Sequence, residues 1–192
     1  MMNNLVYVSL PAGMTEIPDG LMWARKSLQV VAGLENATVI GENAFSESGI
    51  STYSASNLSG VHIKEGAFAT CANLRTVNIP HPATLGKRAF AQANIASLTL
   101  NAAQIPEEAF TLGSSTEDIE HNKFVEMAYV ELIGTVSVGD HAFWRRAIGD
   151  LYLPATLETL ADDAFGNTEI RVLHLPKGWG LNTLVAKAGE QL

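Results

Sequence analysis

The dipeptide Ala-Phe occurs six times, at 44–45, 67–68, 89–90, 109–110, 142–143 and 164–165, with Phe-to-Phe steps of 23, 22, 20, 33 and 22 residues. Leu21-Met22 fits as a degenerate first copy, 23 residues before Phe45. A near-constant short period restricts the chain to architectures in which one small unit stacks on the next. No unit of this size buries an apolar face alone, whereas a stack of them buries one continuous core.

The agreement extends beyond the dipeptide. Five residues before each Phe lies an aliphatic: Ile40, Ile63, Leu85, Ile105, Val138 and Leu160, with Ile17 in the degenerate copy. A second pattern, apolar-x-x-apolar-x-apolar, follows each Phe and often ends in Pro. It reads Leu74/Val77/Ile79-Pro80, Ile95/Leu98/Leu100, Met127/Val130/Leu132, Ile148/Leu151/Leu153-Pro154 and Ile170/Leu173/Leu175-Pro176, with Leu5/Val8/Leu10-Pro11 ahead of the first Phe. Leu28/Val31/Gly33 and Ile50/Tyr53/Ala55 follow it more loosely. Apolar residues two apart point to one face of a strand. A following Pro ends the run, because it has no N–H for a ladder. The spacing predicts an α/β solenoid with a parallel sheet of about eight strands. The Ala-Phe segments are expected opposite the sheet as a short turn or a single helical turn, the helical form being favoured, with Phe as the inward plug.

The unit L-x-x-V-x-I-P…I-G-x-x-A-F-x-x-C resembles the BspA-like class of leucine-rich repeats. Phe68, Cys71, Leu74, Val77, Ile79, Pro80, Leu85, Gly86, Ala89 and Phe90 match it most fully, and the likeness runs over roughly residues 5–176. It departs at Cys71, where other copies carry Arg25, Ser48 or Thr168, and at an insertion, 111–124 (TLGSSTEDIEHNKF). The resemblance implies a curved solenoid on a surface-exposed or secreted protein of mucosal bacteria or some protists. It also implies adhesion to host proteins or to other cells. A leader would then be expected upstream of Met1, since MMNNLVYVSLPAGM has no basic region followed by a long apolar core.

The chain divides into a solenoid, 1–176, and a C-terminal segment, 177–192. In the latter, Leu181, Leu184, Val185 and Ala188 form one apolar helical stripe. An exposed solenoid end calls for such a cap, with Trp179 expected over the last rung. The first rung shows no comparable cover, so an upstream segment is expected there.

With 47 % hydrophobic and 17 % charged residues, the 192-residue chain is a foldable one. Its net charge of −8 offers no positive footprint for nucleic acid. No apolar run is long enough for membrane insertion. One cysteine, Cys71, excludes an internal disulfide and a multi-Cys metal cage; at a core position it reads as a buried thiol.

Several clusters invite a chemical reading. VGDHAFWRRAIGD (138–150) sets Asp140, His141, Trp144, Arg145 and Arg146 close together, but Val138, Ala142 and Phe143 are template core positions and Ile148 starts the next strand. The remaining residues read as a decorated edge. The insertion holds Glu117, Asp118, Glu120 and His121 at spacings that match neither an EF-hand loop nor a zinc signature, and reads as a solvated excursion. Three residues before each Phe stand Glu42, Glu65, Lys87, Glu107, Asp140 and Asp162, with Asp19 in the degenerate copy. The sharp reading is a cation stripe; the favoured one is that each acid opens a helical turn. Nothing matches a nucleophile elbow, a zinc-protease motif or a P-loop. Of the five histidines, only His174 is expected to project from a strand.

The alternation also places two outward columns on the sheet: Tyr7, Val30, Thr52, Thr76, Ser97, Tyr129, Asp150, Val172, and Ser9, Ala32, Ser54, Asn78, Thr99, Glu131, Tyr152, His174. Tyr129, Glu131, Tyr152 and His174 concentrate the aromatic-plus-polar mixture that interfaces favour. The sequence therefore reads as a non-enzymatic, monomeric module that binds a host or neighbouring-cell protein, with no cofactor and no metal site. The competing readings are a structural spacer within a larger surface protein and a carbohydrate- or cation-dependent binder.

Overall fold

A computed structural model describes residues 4–113 and 125–188. The insertion residues Glu117, Asp118, Glu120 and His121 lie outside the described residues. The chain winds as a parallel β-solenoid of about seven turns. One face carries β1 (Tyr7–Ser9), β3 (Val30–Ala32), β5 (Thr52–Ser54), the start of β7 (Thr76–Leu85), β8 (Ser97–Ala102), β10 (Met127–Ile133), β12 (Ala147–Tyr152) and β14 (Glu169–His174). A second face is built from β2 (Glu16–Ile17), β4 (Val39–Ile40), β6 (Val61–Ile63), the end of β7, β9 (Gln104–Ile105), β11 (Ser137–Val138) and β13 (Thr159–Leu160). Every pairing is parallel.

The register reproduces both outward columns. Thr52 pairs with Thr76, Thr76 with Ser97, Ser97 with Tyr129, Tyr129 with Asp150 and Asp150 with Val172. Asn78, Thr99, Glu131, Tyr152 and His174 follow one another likewise. The ladder breaks once: β3 and β5 do not pair, and a cavity of about 200 Å³ lined in part by Val30, Val31, Leu34 and Tyr53 lies there. A 3-10 turn, Leu34–Asn36, follows β3 after Gly33.

Two expectations need correction. The aliphatic five residues before each Phe belongs to a strand of the second face, and the Ala-Phe segments are turns, not helical turns. Their backbone explains why. The Phe45, Phe68, Phe90, Phe110 and Phe143 amides each donate 2.8 Å bonds to the carbonyl of Ala67, Ala89, Ala109, Ala142 and Ala164 in the next coil. A helix would direct those amides back within its own segment. Left-handed residues two before and two after the Phe, such as Asn43 and Glu47, Arg88 and Gln92, and His141 and Arg145, swing the peptides outward to the neighbouring coil. The recurring acids therefore open no helix. Among the described residues of that column, Asp19 accepts a neighbouring amide, that of Glu42 at 2.7 Å, and this bond holds its carboxyl below the usual range. Lys87 instead pairs with Glu107 at 2.6 Å, and that bond raises the ammonium pKa.

The other correction concerns Pro80. It does not end a strand: β7 continues past Pro80 and Pro82 through a register shift between Ile79 and Ala83, joining the two faces. In consequence His81 lies within β7, and His62 projects from β6 toward Thr84 Oγ1 at 2.5 Å, so His174 is not alone on a strand.

The interior is a ladder of phenyl rings. Phe45, Phe68, Phe90, Phe110, Phe143 and Phe165 stack with successive centroid distances of 5.3, 5.2, 5.3, 5.0 and 4.9 Å. Their planes are tilted by no more than 8°. Alanine before each ring is required because Ala44, Ala67, Ala89, Ala109 and Ala142 are completely buried at the tight inter-coil contact.

In three coils the residue three after the Phe reaches the Phe carbonyl of the preceding coil. Cys71 Sγ donates to Phe45 O at 3.0 Å, and Thr168 Oγ1 to Phe143 O at 2.6 Å. Cys71 is fully buried, as its core position predicts, and burial pushes its thiol up to about 11. Arg146 fills the same position and donates from Nε to Phe110 O at 2.6 Å, so it belongs to the interior and not to the decorated edge. It is 1 % exposed, Nη1 and Nη2 have no hydrogen-bond partner among the described residues, and burial lowers its pKa to about 9. At pH 7 the guanidinium is charged in both folded and unfolded states, so its burial carries a desolvation cost, which among the described residues only the bond to Phe110 O offsets. Arg146→Gln retains a donor for Phe110 O and removes the charge. It is expected to raise stability by about 1–3 kcal/mol in urea denaturation; a lower midpoint would show the charge to be compensated.

Among the described residues one α-helix is present, α1 (Leu181–Ala188), in which Leu184 is buried and Val185 is 42 % exposed. The stripe predicted there is thus only partly inward. No described helix is long and apolar enough to cross a membrane.

Candidate functional site

The outward face of β10, β12 and β14 brings together the four residues singled out from the alternation. Because successive coils are in register, side chains in one column stand one strand spacing apart, close enough for ring contact. Tyr129 and Tyr152 meet at a centroid distance of 5.3 Å with a 43° tilt, and Tyr152 stacks flat on His174 at 3.9 Å. Glu131 lies in register with Tyr152, two residues after Tyr129 on the same face of β10. Partial burial of Tyr129, then this neighbouring carboxylate, raises the phenol pKa.

A fifth member, Asp150, was not singled out. Its Oδ1 lies 2.7 Å from His174 Nε2, fixing the ring that Tyr152 covers. Its place in the outward column was the available signal; the pairing depended on a neighbour one coil away. At the rim, Arg171 Nη2 bonds Glu126 Oε1 at 2.6 Å. The patch thus offers half-buried rings held by carboxylates, while the middle of the face (Thr76, Asn78, Ser97, Thr99) is small and polar. Such a surface can stack against and hydrogen-bond a partner. Among the described residues no serine or cysteine hydrogen-bonds His174.

The turn face carries a concavity of about 520 Å³ lined by residues that include Glu65, Thr70, Arg88, Gln92 and Glu108. Arg88 and Glu108 are ion-paired across two coils. Further along, Asp140 Oδ2 lies 2.9 Å from His141 Nδ1, and the His141 and Trp144 rings are 4.4 Å apart.

Residues 1–117 and 136–185 match the BspA type leucine rich repeat region, in six copies. No curated protein sequence matches the chain. Among solved structures, it is similar to a leucine-rich repeat protein from Bacteroides ovatus, at 16 % identity and TM-score 0.45 over 90 % of this chain and 57 % of that one. A leucine rich cell surface protein from Faecalibacterium prausnitzii aligns at 17 % identity and TM-score 0.46 over 96 % of this chain and 62 % of that one. The chain therefore spans less than two thirds of either neighbour.

Proposed function

The chain belongs to the BspA-type leucine-rich repeat family, and on that premise we propose that it is a non-enzymatic protein-interaction module. In this reading it is a monomer, displayed at the cell surface or secreted, that binds a protein of a host or of a neighbouring cell. In the same reading the described residues up to 176 are the binding solenoid and those from 177 to 188 its cap, for which the burial of Leu184 is the support, while 189–192 lie outside the described residues.

One observation carries the reading: Tyr129, Tyr152 and His174 form a continuous, half-exposed ring cluster next to the small-residue middle of the sheet, edged by Glu131 and Asp150. Aromatic anchors whose rotamers are already held lose little entropy on binding, which is what hot spots require. The test is biolayer interferometry against a panel of purified extracellular-matrix proteins. Wild-type chain is expected to bind at least one member, and Tyr129→Ala/Tyr152→Ala to weaken that binding at least about tenfold with an unchanged circular dichroism spectrum. Equal binding by the variant would remove the patch as the site.

A further inference from the structure

We propose that Asp140, His141 and Asp163 form a binding site for a divalent cation of the zinc type, on the turn face away from the aromatic sheet patch. Asp140 and His141 are neighbours in sequence, but Asp163 arrives from the following coil. His141 and Asp163 each stand two residues before their Phe, so winding the chain sets one above the other. One ligand atom from each of the three lies within 4.8 Å of the other two. Donors around a tetrahedral ion with bonds of about 2.1 Å are roughly 3.4 Å apart, so side-chain rotation shared among the three closes the set.

The surroundings accommodate that set. Gly166, in the same turn as Asp163, has no side chain, and a Cβ there would fall 2.2 Å from the Trp144 ring and 3.0 Å from Asp163 Oδ1. The missing side chain leaves the place where ring and carboxylate sit. Trp144 then flanks His141 and shields one side of the group, while Asp140 remains exposed to solvent. Elsewhere on this face carboxylates meet lysine or arginine of a neighbouring coil, as in Lys87–Glu107 and Arg88–Glu108. Here Asp140 meets an imidazole, which in its neutral form is itself a ligand.

The donor chemistry selects the ion. One imidazole nitrogen and two carboxylates suit zinc and its first-row neighbours. Calcium takes six to eight oxygen ligands and gains nothing from the imidazole. Two carboxylates neutralise the ion's charge, and the solvent side leaves at least one coordination position for water or a partner's ligand.

The test is isothermal titration of chelator-treated protein with zinc chloride, together with the visible spectrum of the cobalt(II) form. Asparagine already occupies the left-handed position equivalent to His141 in the Phe45 coil, as Asn43, so His141→Asn keeps the backbone. Asp163→Asn is nearly isosteric. Wild type is expected to bind one zinc ion per chain and to retain it in millimolar calcium. Both variants should lose more than about tenfold in affinity, since even an outer-shell partner is worth that much, and should lose the cobalt band. His174→Ala, which alters the other Asp–His pair, should bind zinc as wild type does. Absence of saturable zinc binding, or unchanged affinity in either His141→Asn or Asp163→Asn, would overturn the proposal.

Discussion

Phe90→Ala is expected to destabilise the protein by about 3–5 kcal/mol, the range for removing a fully buried aromatic side chain. Phe90 is completely buried and stacked on both sides, 5.2 Å from Phe68 and 5.3 Å from Phe110. Its loss removes apolar burial and two ring contacts, each worth about 0.5–1.5 kcal/mol beyond area. Because a solenoid is held together by nearest-neighbour interfaces, the hole also uncouples the coils on either side. Urea denaturation should show a lower midpoint and a shallower transition. Phe90→Leu, which fills most of the volume, should lose much less. A loss below about 1 kcal/mol for the alanine variant would mean that the ladder is not what couples the coils.

Gly86→Ala is expected to be nearly as damaging, although it adds only a methyl group. A Cβ at Gly86 would lie 2.4 Å from the Glu65 amide nitrogen and 2.7 Å from the Lys64 carbonyl carbon. These are backbone atoms, and Gly86 N is itself bonded to Ile63 O at 2.7 Å, so relief requires parting two coils. Overpacking of this kind costs about 1–3 kcal/mol when side chains can shift, and more when only backbone can. Gly180→Ala is the control, since nothing lies within 4 Å of a Cβ there and its φ is not left-handed. A Gly86→Ala melting midpoint equal to that of Gly180→Ala would refute the close approach.

The same contrast between local and neighbouring constraints governs what the sequence discloses. Pro80 illustrates the failure of a local rule: a missing N–H predicts a strand end, yet a register shift lets β7 pass it and pair on both faces. Arg146 illustrates another. Its residue type argues for the surface, but its position three after a Phe argues for the interior, and the position prevails. The repeat alignment held that information, because Ser48, Cys71 and Thr168 stand at the same place. In the candidate patch the alternation found Tyr129, Glu131, Tyr152 and His174, while Asp150 became a partner only when His174 was laid beside it.

The sequence by itself determined the solenoid, the inward Phe column, the burial of Cys71 and the two outward columns of the sheet. Each follows from period and alternation, which act on every coil alike and are repeated often enough to be unmistakable. Only the tertiary structure decided the conformation of the Ala-Phe turns, the break between β3 and β5, and the meeting of Asp163 with His141. Those features depend on where the amides of one coil find acceptors in the next and on how coils of 20 to 33 residues align. A turn whose hydrogen bonds are made to a neighbouring coil leaves no periodic mark within its own segment. Residues 22 apart become neighbours only after the chain has wound once around its core.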